Sequence, residues 1–259
     1  MKEKVNSHSS NLANFRTLIS IIISFGLKYI PTRVSIQLVS LQALLPKVQV
    51  VVEKAHETDV ALHKAIAVRK ASYDTISSLM TKVISSLRST ESPKEIKVNA
   101  AAIVRKIRGS HLKSKTTVAM VTGNTADSTG TNAAASATTT TKKPHANTER
   151  SFNDQLTNID KFIKLLETIP EYAPTEADIT LAALQAMYND LIDKNSAVHN
   201  AEVAYDTAKI ERYNLCYTPV SGMVDLTQAV KNYVKSVYGA TSPQYKEVTK
   251  LGFKNIPLS

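Results

Sequence analysis

One stretch of this sequence occurs twice. Residues 29–69 align without gaps to residues 172–212, at an offset of 143. Of the 41 aligned positions 13 are identical, against about two or three expected by chance. The identical pairs are Tyr29/Tyr172, Pro31/Pro174, Thr32/Thr175, Ile36/Ile179, Leu38/Leu181, Leu41/Leu184, Gln42/Gln185, Ala43/Ala186, His56/His199, Val60/Val203, Ala61/Ala204, Ala65/Ala208 and Arg69/Arg212. Self-similarity of this kind predicts a tandem duplication of one structural module.

A long helix is predicted in each copy, directly after the shared Tyr-x-Pro-Thr motif. Proline ends the preceding helix and threonine can cap the next one, so we expect helices to start near residues 33 and 176, capped by Thr32 and Thr175. About 40 residues at about 1.5 Å each form a rod of about 60 Å. At Pro46 we expect a kink rather than an end. The apolar stripe consists of Leu41, Leu44, Val48, Val51, Ala55, Leu62 and Ala65, and of Leu184, Met187, Leu191, Val198, Ala201 and Ala208.

A third, shorter helix follows in both copies. In the second copy it is predicted at residues 223–238, after a break at residues 217–222 that contains Pro219 and Gly222. The first copy reaches its counterpart, residues 76–87, with seven residues fewer. Either a tight turn lies near Ser72 or the second and third helices run on as one, and we expect the turn because residues 71–75 offer capping side chains.

The first helix of copy one contains the apolar residues 18–27. This run is too short to span a bilayer, which needs about 20 residues. Its counterpart, residues 161–169, is amphipathic. We therefore predict a buried helix rather than a targeting or membrane-spanning segment, preceded by frayed polar residues 1–11.

Together these elements predict an all-α fold, a duplicated short-long-short module that forms an elongated pseudo-two-fold helical bundle resembling a coiled coil. The predicted segments are a basic repeat at residues 12–108, a flexible Thr/Ala/Ser-rich linker at 109–150, and a mildly acidic repeat at 151–259. The repeats pair within one chain or exchange between two chains.

Several motifs carry a resemblance to a known family. They are the paired Tyr-x-Pro-Thr and Leu-Gln-Ala motifs, residues 152–178, and residues 234–248 with the sequence VKSVYGATSPQYKEV. The chain resembles an uncharacterised bacterial family of internally duplicated helical proteins. That resemblance implies the duplication and the helices, and it implies no activity, cofactor or site residue.

Charge and cysteine usage bound the function classes. Residues 1–150 hold 22 Lys and Arg against 9 Asp and Glu, a net charge of +13, whereas residues 151–259 hold 10 against 13, a net charge of −3. A basic half can face a polyanion or attract an acidic partner. The single cysteine fits a reducing compartment, and we expect a cytoplasmic protein.

Two candidate chemical sites have weak sequence support. Glu53 and His56 share a helical face, and His63, His199 and Asp206 complete a set of metal-ligand types, but only one Glu-x-x-His pair exists. We expect these residues to be polar side chains beside the interhelical seam. Cys216, in an apolar context, is expected to be a packed thiol. No metal, cofactor or small-molecule substrate is predicted.

Basic residues crowd the end of the first repeat and continue into the linker. Helical cations followed by a basic arm can contact phosphates without reading sequence, although a solvated surface explains the same pattern. The candidate polyanion-binding residues are Lys94, Lys97, Arg105, Lys106, Arg108, Lys113 and Lys115. We therefore predict a non-enzymatic interaction or scaffolding protein with a protein partner or self-association. The alternative is a basic accessory protein on the DNA or RNA backbone.

Overall fold

The structure, a computed structural model, describes residues 7–109 and 151–258. All regular elements in these two ranges are helical, which confirms the all-α prediction. They are α1 (Ser7–Ser24), α2 (Leu38–Ser89), α3 (Lys94–Arg108), α4 (Phe152–Glu167), α5 (Leu181–Cys216), α6 (Met223–Tyr238) and α7 (Pro243–Thr249), with 3-10 turns at Gly26–Lys28 and Val34–Ile36. The predicted linker lies outside the described residues, except for Gly109.

Helix α2 is a single helix of 52 residues, so the turn expected near Ser72 is wrong. The residues that separate α5 from α6 have no counterpart in the first copy. The first copy is seven residues shorter in this region, close to two helical turns, which keeps the apolar stripe in phase. The stripe continues without a break through Tyr73, Ile76 and Met80, all buried. The helix also continues through Pro46, which is exposed.

Both long helices start five residues later than predicted, at Leu38 and Leu181. In the second copy the capping residue is Thr180 rather than Thr175, because the Ala183 N–H donates to Thr180 Oγ1 at 3.2 Å. In the first copy the preceding residues form the 3-10 turn that ends at Ile36. The prediction placed each helix in the right segment but mistook a structured loop for its first turn.

Unit 1, the first of two compact units, comprises the described parts of Met1–Ala71 and Lys194–Ser259. Its core is made by α1, the first part of α2, the end of α5, α6 and α7. Helix α1 contacts both α6 and α7. Leu18, Ile19 and Ile22 are buried, which confirms the predicted buried helix up to Ser24. The prediction is wrong for the end of the apolar run, because Leu27 lies in the 3-10 turn after α1 and is 93% exposed.

Residues 7–11 are not frayed, which corrects the prediction for that part of the N-terminus. Asn11 is 1% exposed. Its Nδ2 donates to the carbonyl of Lys254 at 2.8 Å, and its Oδ1 accepts from the Lys254 N–H at 3.0 Å. The polar composition of these residues predicted fraying. Instead, the buried Asn11 amide pairs with both main-chain groups of Lys254 and anchors the start of α1.

Unit 2 comprises the described part of Ser72–Asp193. Its core is formed by the end of α2, by α3 and α4, which pack on each other, and by the first part of α5. Ile107, Ile159, Phe162 and Leu184 are among its fully buried side chains. Each compact unit thus takes elements from both sequence repeats.

Candidate interaction surfaces

The loop between α1 and α2, in unit 1, exposes large aliphatic side chains beside cations. Leu27 is 93% exposed, Ile30 71% and Val34 67%. Lys28 and Arg33 are exposed within the same eight residues. We call these five residues the first loop surface. Exposed apolar side chains that cluster on a soluble domain mark interaction sites more often than scattered ones do.

Buried residues between the exposed ones hold this loop on the core. Tyr29, Pro31 and Ile36 are buried, and the Tyr29 hydroxyl donates to the Ile36 carbonyl at 2.7 Å. The Tyr29 ring meets the Tyr233 ring edge-on, with centroids 5.2 Å apart, and Ile30 N–H donates to the Tyr233 hydroxyl at 3.2 Å. Burial raises the pKa of Tyr29, so its hydroxyl keeps the proton it donates. The outer side chains therefore stand on a fixed backbone.

A neighbouring turn adds another exposed aliphatic side chain. Arg33 Nη2 donates to the Val220 carbonyl at 2.8 Å, and Val220 is 69% exposed. Val220 has φ 70, rare for a β-branched residue, and Ser221 N–H donates to the Pro219 carbonyl at 2.8 Å across it. Asp225 accepts from the Val220 N–H at 2.7 Å. These contacts hold Val220 in its strained position.

The loop between α4 and α5, in unit 2, has the same frame. The Tyr172 hydroxyl donates to the Ile179 carbonyl at 2.7 Å, and both residues are buried. Burial, with the carboxylates of Glu176 and Asp178, raises the pKa of Tyr172 to about 12. Asp178 also pairs with Lys82 at 2.6 Å.

The outer side chains of this second loop differ from those of the first. We define the second loop surface as Pro170, Glu171, Ala173, Glu176 and Ala177, all exposed. At the repeat offset they align in order with the five residues of the first loop surface. Two cations are thereby replaced by two carboxylates, and three large aliphatic side chains by proline and alanine.

Only part of the predicted polyanion-binding set is available on the surface. Lys94, Arg105 and Lys106 are exposed. Lys94 and Arg105 are 11 residues apart on α3, close to three full turns, so they share one side of the helix. Lys113 and Lys115 lie outside the described residues.

Two of the predicted cations have structural partners in unit 2. Lys97 Nζ donates to the carbonyls of Thr90 at 2.5 Å and Arg88 at 3.2 Å, which caps the end of α2. Arg108 Nη2 donates to Thr81 Oγ1 at 2.6 Å and to the Ser77 carbonyl at 3.3 Å. These bonds tie α3 to α2 and occupy both cationic groups.

The residues considered as metal ligands lie on exposed helix faces of unit 1. His63 Nδ1 is 2.8 Å from the carbonyl of Asp59, and Asp206 pairs with Lys209 at 2.9 Å. In the described ranges no three His, Cys, Asp or Glu side chains come together as a metal would require. The remaining three ligand types, Glu53, His56 and His199, are exposed.

Unit 1 also contains an open groove of about 220 Å³ lined by His8, His56, Asp59, Lys209 and Arg212, among others. Burial and then the Arg212 guanidinium lower the pKa of His8 to about 4, so the imidazole is neutral at pH 7. His8 Nδ1 lies 2.6 Å from the Tyr217 hydroxyl oxygen, and the two groups share a hydrogen bond. The groove mixes cations with a carboxylate, and Lys209 is already paired, so its charge is partly offset.

Cys216 is buried in unit 1, as expected from its apolar context. Burial raises the pKa of its thiol to about 11, and the nearby Arg212 opposes that shift. The thiol is therefore protonated and covered, which is the state of an unreactive core cysteine.

Comparisons with protein families, with curated proteins and with solved structures found no match to this chain. Within the described ranges, no helix combines the length and the apolar character needed to cross a bilayer.

Sequence reasoning missed the first loop surface, although the sequence contained the signal. The aligned pairs Leu27/Pro170, Lys28/Glu171 and Ile30/Ala173 reverse charge or size around a shared tyrosine. Identical positions between two copies indicate the shared frame. Positions that diverge in charge or size next to that frame indicate where the copies present different surfaces.

Proposed function

We propose that this chain is a non-enzymatic interaction protein that binds its partners through the first loop surface. One observation carries the proposal. Three large aliphatic side chains, between 67% and 93% exposed, stand beside two cations on a loop fixed by buried hydrogen bonds. Such a preformed surface loses little conformational entropy on binding, since its backbone is already ordered.

We also propose that the two loops derive from one module that was duplicated, and that its two copies are related by a pseudo-two-fold axis. The support is local and specific. Both loops contain a buried tyrosine that donates to the carbonyl seven residues later at 2.7 Å. Both also bury the isoleucine that provides this carbonyl, and both expose the residues at the aligned positions 30/173, 33/176 and 34/177 between the two anchors. We further propose a cytoplasmic location, which the single cysteine favours, and a relation to the bacterial family of duplicated helical proteins that the sequence resembles.

A site-specific photo-crosslinker tests the interaction in cells. The reactive residue replaces Leu27 in the full chain, and the matched control replaces Val50, an aliphatic residue of the same unit that is 61% exposed. We expect a discrete adduct from position 27 that position 50 does not form. Equal, diffuse crosslinking from both positions would contradict the proposal, and the mass of the adduct shows which class of partner was captured.

A second candidate function is contact with a nucleic-acid backbone through α3. It is favoured by the exposed cations Lys94, Arg105 and Lys106, of which two lie on one side of that helix. Under this alternative, generic duplex DNA binds at low salt and binding weakens as salt rises. The variant R105E/K106E should abolish binding, whereas K47E, an exposed reversal on α2, should have less effect. Absence of binding by the wild-type chain at low salt would remove the alternative.

A further inference from the structure

We propose that the first loop surface of one chain binds the second loop surface of another copy of this chain. This inference rests on the proposed function and names its partner. Each chain contains one surface of each kind, so the contact is between unlike surfaces. Every pairing then leaves one free surface of each kind at its two ends.

The charges of the two loop surfaces are complementary. Lys28 and Arg33 on the first align with Glu171 and Glu176 on the second. Residues 8–52 contain four Lys and Arg and no Asp or Glu, whereas the aligned residues 151–195 contain three against eight. Opposite charges facing each other fix orientation and reject wrong pairings, because like charges would then meet.

The same contrast holds for whole units. Among the described residues, unit 1 holds 16 Lys and Arg against 8 Asp and Glu, a net charge of +8. Unit 2 holds 9 against 11, a net charge of −2. Contact between two copies of unit 1 is therefore disfavoured, whereas contact of unit 1 with unit 2 is attractive.

The sizes of the apolar side chains are complementary too. Leu27, Ile30 and Val34 project from the first surface, each more than 65% exposed. The second surface has Pro170, Ala173 and Ala177 at the aligned positions, which are apolar but short. Large side chains can therefore approach short ones closely without burying an unpaired polar group.

The expected contact is weak. Each surface comprises five residues, and stable interfaces bury about 1,200 to 2,000 Å². Association should therefore depend on protein concentration in the range of about 10 to 500 µM, as for other small interfaces. Because each pairing leaves unlike surfaces free, assemblies larger than two chains should appear at the upper end of that range.

Other occupants suit the first surface less fully. Anionic lipid headgroups or an acidic protein would also attract exposed cations beside aliphatic side chains. Neither partner uses the carboxylates at the aligned positions of the second surface. The second-copy hypothesis accounts for both surfaces at once.

Sedimentation velocity of the full chain tests the proposal through a charge exchange. Lys28→Glu and Glu171→Lys should each weaken association by about tenfold or more, because each adds to one surface a charge of the same sign as the surface that it meets. The fourfold variant K28E/R33E/E171K/E176K has the net charge of the wild type and exchanges the charges of the two surfaces, so it should restore association. The reversal K47E is the matched control for net charge, and L27S/I30S should abolish association without affecting the fold, since both side chains are exposed.

Three results would overturn the proposal. The wild-type chain could remain monomeric across the whole range, or K28E/R33E/E171K/E176K could associate as poorly as the two single variants. Alternatively, the chain could bind vesicles of phosphatidylcholine with phosphatidylglycerol in an L27S/I30S-sensitive way while showing no self-association. In each case the crosslink from position 27 still decides the proposed function separately, because it records any partner.

Discussion

The loops of unit 1 and unit 2 share a hydrogen-bonded frame, but their exposed side chains differ in charge and size. In each, a tyrosine hydroxyl bonds the carbonyl of a buried isoleucine at 2.7 Å. Outside that frame, Lys28 faces solvent in one loop and Glu171 in the other. The comparison teaches that buried positions preserve the fold, whereas exposed positions are free to change charge and size. Under the proposed function, the difference between the two repeats lies in five outward side chains.

The largest effect is expected where the aligned residues are both in the core. Leu41 and Leu184 are identical at the repeat offset, and each is 0% exposed. Leu41→Ala and Leu184→Ala should each lower the free energy of unfolding by about 2 to 5 kcal/mol, measured by denaturant unfolding. Val50→Ala, at a site 61% exposed, should change it by less than about 0.5 kcal/mol. Very unequal effects of the two leucine variants would show that the aligned positions do not play equivalent roles in the cores of the two units.

The shared tyrosine bond should contribute less, and equally in both loops. Tyr29→Phe and Tyr172→Phe leave the buried carbonyls of Ile36 and Ile179 without their side-chain donor. Each variant should lower the free energy of unfolding by about 1 to 3 kcal/mol. A loss at one position only would show that the two hydrogen bonds are not equivalent. Tyr188→Phe, in the same unit as Tyr172 but outside the loop, is the control.

Acid should destabilise unit 1 through His8, whose aligned counterpart Ser151 does not titrate. The pKa of His8 is about 4 in the fold, against 6.5 when unfolded, so the unfolded chain binds the extra proton first. Stability should therefore fall as pH is lowered from about 6.5 to about 4. His8→Gln should flatten this dependence, as followed by thermal unfolding against pH. A dependence unchanged by the substitution would assign it to other groups.

The smallest effect is expected at an exposed ion pair. Lys54 and Glu211, both in unit 1, lie 2.7 Å apart with side chains 46% and 42% exposed. Glu211→Gln should lower the free energy of unfolding by at most about 1 kcal/mol, since exposed pairs are screened by water and salt. A larger loss, still present at high salt, would mean that this pair supports the fold more than its exposure indicates.

Much of the fold could be predicted from the sequence, because helical periodicity and proline turns are local signals. Helix α6 occupies residues 223–238 as predicted, and α3 ends at Arg108 where the predicted repeat ended. The sequence could not show that α2 is one continuous helix. Adding or removing seven residues, about two helical turns, leaves the apolar stripe in phase, so the pattern fits both a turn and a continuous helix. The delayed helix starts also escaped prediction, because each long helix follows a structured loop in which a tyrosine hydroxyl donates to a carbonyl seven residues later.

The candidate surfaces could be predicted less well. Lys97 and Arg108 were assigned to a polyanion site, yet both donate to carbonyl or hydroxyl groups of unit 2. Sequence cannot distinguish a capping cation from a solvated one, because the difference depends on which carbonyls lie nearby. Leu27, which was predicted to lie in a buried helix, is 93% exposed in the first loop surface. The exposure of a side chain depends on its tertiary contacts, which cannot be read from the composition of the segment.

One transplant tests the central claim, that the outward side chains of the first loop carry the function and its buried frame carries the fold. The variant K28E/I30A/V34A places second-copy residues at three exposed positions. Its unfolding midpoint should stay close to that of the wild type, because exposed substitutions change stability by about 0.5 kcal/mol or less each. The adduct from a crosslinker at position 27 should disappear. A variant that keeps the adduct at the wild-type level, or that unfolds, would contradict the account.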